Sequence, residues 1–267
     1  FEYIALAALL VTFFGFFAVK VWDIDFWWHI AAGRNILETG VIPSVDPFGV
    51  YDAANVTGQT ILKSQWLGQV LLYSIYRWFD LDGIILFRAA LLTLCLAIVY
   101  LRCRLAGAVG LFSFAMTALA GLAIFHHTGE RPQLFSFVYL SLIFLLFDSF
   151  VSNGKRWLLF GMPLLMLLWS NTHGGSVLGM VALGLVGVCY VLKNRFSEGH
   201  FNTPQIKSMT LVVCLSAIAL VLTPNTVTTF QHILALENNP LRDRRSEYAR
   251  PWSLWPTTLY YWVFVAV

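Results

Sequence analysis

Long apolar runs, broken by short polar interruptions, set the pattern of this chain. They occupy about 1–20, 83–101, 105–125, 133–151, 174–192 and 207–223. A helix rises about 1.5 Å per residue, so about 20 apolar residues cross a hydrocarbon core about 30 Å thick. Each of these runs reads as a transmembrane helix. A shorter run, about 157–170, lies between "GKR" and "SNTHGG". It crosses if it tilts or if the bilayer thins around it. A last run begins near residue 257 and reads as the first part of a further span. The pattern predicts seven spans and a fragment of an eighth. Helices satisfy their backbone groups within one run, so the expected fold is all-α, a polytopic transmembrane helical bundle forming a single domain over 1–267. Both ends of the chain fall inside apolar stretches, so a protein longer at both ends is expected.

The longest interruption, 21–82, has a pattern of its own. Phe26, Ile30, Gly33 and Leu37 recur at helical spacing, and Trp27 with Ala31 widens the stripe. Gly40 and Pro43 close this helix, predicted at 26–39. It is too short to span, and its Trp pair suits the membrane interface. A second interfacial helix is predicted at about 65–79, "QWLGQVLLYSIYRWF", with Ser64 as its cap. Between them runs a loop rich in Pro, Gly and Asp, which contains the sequon Asn55-Val56-Thr57.

Composition strengthens the membrane reading. Hydrophobic residues make up 58% of the chain and charged residues 12%, about half the charged share of soluble domains. The small net charge of +3 argues against nucleic acid as a partner. Residues 1–19 lack a basic leader region and a small-residue cleavage site. The four cysteines lie in or beside apolar runs, without metal-ligand spacing, and read as buried thiols.

Charge also gives an orientation. The loops at 102–104, 152–156 and 193–207 carry Arg102, Arg104, Lys155, Arg156, Lys193, Arg195 and Lys207. Basic short loops face the cytoplasm. The opposite side then holds Asp23, Asp25, His29, His126, His127, Glu130, Arg131, Asn171, His173, Asn225 and Glu247. One face of the bundle carries nearly all the candidate chemistry; the plain alternative is that its loops are simply long and polar. Asp25 sits where it can cap the 26–39 helix. Asp23 has no such structural role, and an unpaired carboxylate at the end of a span is costly. His29 lies one turn after Asp25. Arg131 has an anchoring alternative, paired with Glu130. His126 and His127 have the alternative of ordinary helix ends, and Asn171 with His173 that of a turn packed through Gly174-Gly175. Arg88 and Asp148 are read as pairing within the bundle or snorkelling to an interface.

An Asp at the outer end of the first span, followed by two interfacial helices, resembles the GT-C class of membrane glycosyltransferases. Four stretches carry the likeness in order: "DIDFWWHIAAGRNILETGVIPSVDPF", "QWLGQVLLY", "RPQLFSF" and "WSNTHGGSVLG". They cover most of residues 20–180 and resemble bacterial multispanning proteins of that class. The resemblance implies a GT-C-like fold and transfer of a sugar from a polyprenyl-(di)phosphate carrier to an acceptor. The implied place is a bacterial inner membrane, with the active face periplasmic or extracellular. It implies Asp23 as the base, with Asp25 as its substitute or as a ligand, with Asp23, for a divalent cation such as Mg or Mn. Arg131 would hold the leaving phosphate, helped by His29, His126, His173 and Asn171. Gln65 departs from the pattern, in which an acidic residue precedes this Trp, and offers no second acid or metal ligand there. A different reading keeps the fold without the chemistry: a non-catalytic subunit or scaffold with protein partners in a larger complex. A transporter ranks below both, because no matching pair of Gly/Pro-broken spans is present.

Overall fold

The structure is a computed structural model that describes residues 2–43, 47–48, 62–125, 129–196 and 203–226. Among these residues every regular element is helical and there is no strand. The helices are α1 (Glu2–Phe17), α2 (Phe26–Thr39), α3 (Trp66–Leu105), α4 (Gly110–Phe125), α5 (Gln133–Asn153), α6 (Gly161–Thr172), α7 (Ser176–Phe196) and α8 (Thr203–Val221). A 3₁₀ turn at Arg156–Phe160 leads into α6. By length and composition, four stretches can cross a membrane: α3, α5, Ser176–Lys193 of α7 and Pro204–Val221 of α8. The chain is an integral membrane protein. The apolar helices α1 and α4 are 16 residues each, about 24 Å long, and α6 is shorter still.

What faces outward agrees with a lipid solvent. Leu178, Val181, Leu185, Val188 and Leu192 recur every three or four residues along α7, and all are exposed. Such a stripe is a liability in water and ordinary in a bilayer. Inside, Phe13 and Phe17 of α1 pack on Leu92 and Leu96 of α3. Phe26 and Ile30 of α2 pack on Leu72 and Ile84 of α3. Trp169 and Met166 of α6 fill a third core with α5, α7 and α8.

Helix α3 joins these parts. Its sequence predicts a short helix at about 65–79, a gap at 80–82 and a span from 83; the gap is a single residue. Asp80 has φ 54° and ψ −155°, and helix continues on both sides of it. A side chain there is strained, at a cost of about 1–3 kcal/mol. Asp80 Oδ1 accepts the Leu81 N–H at 2.8 Å, which starts the second half of the helix. The first half lies against α2 so closely that a Cβ at Gly33 would collide with the Gln69 carbonyl oxygen. It also meets the α6–α7 turn, where a Cβ at Gly68 would come within 2.6 Å of Thr172 O.

A buried ion pair fixes one end of the bundle. Arg88, on the second half of α3, pairs with Glu130, and both side chains are 0% exposed. Arg88 Nε donates to Phe17 O at 3.0 Å, and Nη2 to Val19 O, where α1 has run out of helical partners. Glu130 accepts the backbone N–H groups of Trp22 (3.4 Å) and Asp23 (3.2 Å). The pair thereby holds the non-helical link between α1 and α2. At the other end Arg104 lies 3.6 Å from Glu2, and Arg102 pairs with Asp148 at 2.6 Å. The basic residues Arg102 and Arg104 thus sit opposite Asp23 and Glu130. Arg88 and Asp148 each take a different partner, not each other.

Two stability measurements check these statements in detergent solution. Arg88→Met should destabilise the chain by about 3–5 kcal/mol, because Glu130 is left charged and buried. Adding Glu130→Met should recover part of that loss. Asp80→Gly should raise the thermal midpoint, since released strain exceeds glycine's entropic cost of about 0.5–1 kcal/mol. A lower midpoint would mean that the Oδ1 bond to Leu81 outweighs the strain.

Candidate functional site

The link from α1 to α2 carries the two aspartates. Asp23 is 5% exposed. Its Oδ1 accepts the Asp25 N–H at 2.9 Å, and its Oδ2 meets Arg131 Nε at 2.5 Å. Gly129 lies against the same carboxylate, where a Cβ would collide with Oδ2. Asp25 occupies the N-cap position of α2, yet its side chain makes no capping bond. It reaches Arg131 Nη1 instead, at 3.0 Å, with its side chain 49% exposed. The expected cap is therefore replaced by a charge-assisted contact to a residue distant in sequence. Arg131 bridges both aspartates and is itself 28% exposed. The anchoring alternative, Arg131 with Glu130, is not what forms: Glu130 turns inward to Arg88.

Behind this triad stand two histidines from separate elements. His29, on α2, is buried, with Nδ1 3.4 Å from Gln69 Nε2 of α3. Burial, then the Arg131 charge, pushes its pKa down to about 3, against an upward pull from Asp23. His173 follows α6, and burial pushes it down to about 4. His173 is near enough to His29 to add to the lowering there. Gly175 N–H donates to His173 Nδ1 at 3.0 Å, so Nδ1 is an acceptor and the ring proton sits on Nε2. Ser136 Oγ lies 2.7 Å from the same Nδ1 and accepts the Trp169 Nε1–H at 2.7 Å. Ser136, Gln69 and Trp169 were not among the sequence candidates. Their only signal is an isolated polar or indole group inside an apolar run.

The remaining candidates separate. Asn171 has both amide hydrogens committed, to Leu167 O (2.9 Å) and Leu222 O (3.1 Å), and its Oδ1 accepts Trp66 Nε1–H at 2.8 Å. It ties α6, α3 and the end of α8 together and has no N–H left for a phosphate. His126 and His127 lie outside the described residues, as do Asn55, the partial span from 257, and Glu247. Asp23, Asp25, His29, Arg131 and His173 come from three stretches of chain and converge at one end of the bundle.

Comparison with protein-family models and with curated proteins finds no match.

The chemistry of this cluster follows from its charges. Two carboxylates share one guanidinium, which leaves a formal charge of −1. Asp25 is the accessible carboxylate, and Arg131 the accessible cation. The expected divalent cation does not fit the pair as held: Arg131 and the Asp25 N–H already occupy the oxygens of Asp23. Among the described residues no group of three or more His, Cys, Asp or Glu is placed to hold a metal ion. A groove of about 760 Å³ opens nearby between α2 and α3, and none of Asp23, Asp25 or Arg131 lines it.

Acid should loosen this region. The ordinary histidine value is 6.5, and both rings titrate lower in the folded chain. The unfolded chain therefore binds more protons below pH 6.5, and stability falls as pH drops from 6.5 towards 4 and, for His29, towards 3. Thermal midpoints measured across that window should decline less steeply for His29→Gln/His173→Gln than for the unmodified chain.

Proposed function

We propose that this chain is a GT-C-type glycosyltransferase, moving a sugar from a polyprenyl-(di)phosphate carrier to an acceptor at the outer face of a bacterial plasma membrane. The observation that carries the reading is the Asp25–Arg131–Asp23 cluster, at the opposite end of the bundle from Arg102 and Arg104. With the basic end cytoplasmic, this cluster faces outward. There it meets both the lipid carrier and water-borne or lipid-borne acceptors.

The reaction needs one group to take a proton and one to steady a leaving phosphate. The acceptor hydroxyl forms a bond to the anomeric carbon as the bond from that carbon to the phosphate oxygen breaks. The phosphate leaves with the electron pair, and the transition state has oxocarbenium character. Asp25, half exposed, is the better placed base for the hydroxyl proton. Burial of Asp23 favours a positioning role for it: it grips Arg131 Nε and aims the guanidinium. Arg131 exchanges Asp25 for the phosphate, a planar donor meeting a tetrahedral oxyanion. That exchange also frees the Asp25 carboxylate to act. His173, neutral with its proton on Nε2, supplies a further donor.

One observation favours the second reading, a non-catalytic subunit or scaffold of a larger complex. Asp23 is buried, ion-paired and outside the lining of the α2–α3 groove, which is what a purely structural acid does. Transfer of labelled sugar from a synthetic polyprenyl-phosphate donor, in vesicles containing the chain, separates the two. Asp25→Asn should lower the rate about 10²–10⁴-fold. Asp23→Asn should lower it too, and Lys155→Gln at the far end should leave it alone. Equal rates for the unmodified chain, Asp25→Asn and Asp23→Asn would remove the catalytic reading and leave the scaffold.

A further inference from the structure

A second feature lies beside the acid–arginine cluster and takes no part in it. The groove of about 760 Å³ between α2 and α3 is walled by Trp27 and Arg34 on one side and by Tyr73, Tyr76, Arg77 and Trp78 on the other. Strained Asp80 also lines it. Trp27 and Trp78 are well exposed, as is the neighbouring Phe79. Aromatic side chains at the level where a span begins mark the boundary between acyl chains and headgroups. The groove therefore opens at headgroup depth and borders the bilayer.

Its charges are suited to an anion. Arg77 is exposed and has no carboxylate partner among the described residues. Arg34 pairs with Glu38 at 2.7 Å, but both side chains are more than half exposed, and such surface pairs contribute little and exchange readily. The Asp80 carboxylate is turned to the Leu81 N–H. Two guanidinium groups thus face a space rimmed by rings, a combination that matches a phosphate carrying apolar chains.

We propose that this groove binds the phosphate headgroup of an anionic membrane phospholipid, with Arg77 and Arg34 on the phosphate and the acyl chains leaving past Trp78 and Phe79. The site is distinct from the acid–arginine cluster and does not depend on glycosyl transfer. A lipid held there braces α2 against the first half of α3 at the strained Asp80 break.

Native mass spectrometry of the full chain, taken from mixed phosphatidylglycerol/phosphatidylcholine micelles, tests this directly. The unmodified chain should retain phosphatidylglycerol in preference to phosphatidylcholine. Arg77→Gln should reduce that preference about five-fold, and Arg34→Gln/Arg77→Gln further, since each cation near the surface contributes about a factor of five. Lys155→Gln should not alter it. Quenching of tryptophan fluorescence by brominated phosphatidylglycerol should fall in parallel, and it reads lipid contact even where a variant is less stable in the gas phase. Equal retention of the two lipids, an unchanged preference in the double variant, or displacement by excess inorganic phosphate would each overturn the proposal. The last outcome would assign the groove to a small phosphate instead.

Discussion

A single buried ion pair organises the polar end of this protein. Arg88 and Glu130 neutralise each other in the interior, and each spends its remaining hydrogen-bonding capacity on backbone that no helix can serve. Arg88 takes carbonyls left over where α1 ends. Glu130 takes amides of the extended link that follows. Carbonyls left at the end of α1 and amides of the link after it are thus met by the two halves of one pair. Asp23 belongs to that link, and Arg131 follows directly on Glu130. The triad is consequently a by-product of where the buried pair sits.

The second constraint is closeness of backbone. Gly33, Gly68 and Gly129 each stand where a methyl group would collide with a neighbour: the Gln69 carbonyl, Thr172 and Pro132, and the Asp23 carboxylate. These contacts bring α2, the first half of α3 and the α6–α7 turn within reach of one another. His29, Gln69 and His173 become neighbours through them. A helix pair held apart by ordinary side chains could not place two imidazoles from residues so far apart in sequence in one buried region.

Much of the helical layout was legible in the sequence, because an apolar run of a given length announces itself. The helix at 26–39 was read from its stripe and its terminating glycine, and Gly40 does adopt the left-handed conformation, φ 69°. What local spacing cannot reveal is competition from afar. Asp25 looks like a cap, and only the approach of Arg131 draws its carboxylate away. Residues 80–82 separate the predicted short helix from the predicted span, and in the folded chain that separation shrinks to the one non-helical residue Asp80. The short length of α1 was hidden as well: 1–20 reads as one apolar run, yet the helix stops at Phe17 and Arg88 takes the carbonyls of Phe17 and Val19. Arg88, Glu130, Asp23 and Arg131 were each visible as residues out of place in grease. Which charge meets which is a property of the folded chain, since the partners lie 42 and 108 residues apart.

The chain is made from its N-terminus, and this gives the ion pair a bearing on biogenesis. When α3 leaves the ribosome and enters the bilayer, Arg88 has not yet met its buried partner, for Glu130 is 42 residues behind it. A lone cation in a span raises the cost of insertion by about 2.5–3.5 kcal/mol at mid-depth. Until the fourth helix and the turn after it have emerged, only the carbonyls at the end of α1 can shelter that side chain. The first helix therefore acts as a placeholder during synthesis, keeping an awkward guest in the membrane until its permanent companion arrives.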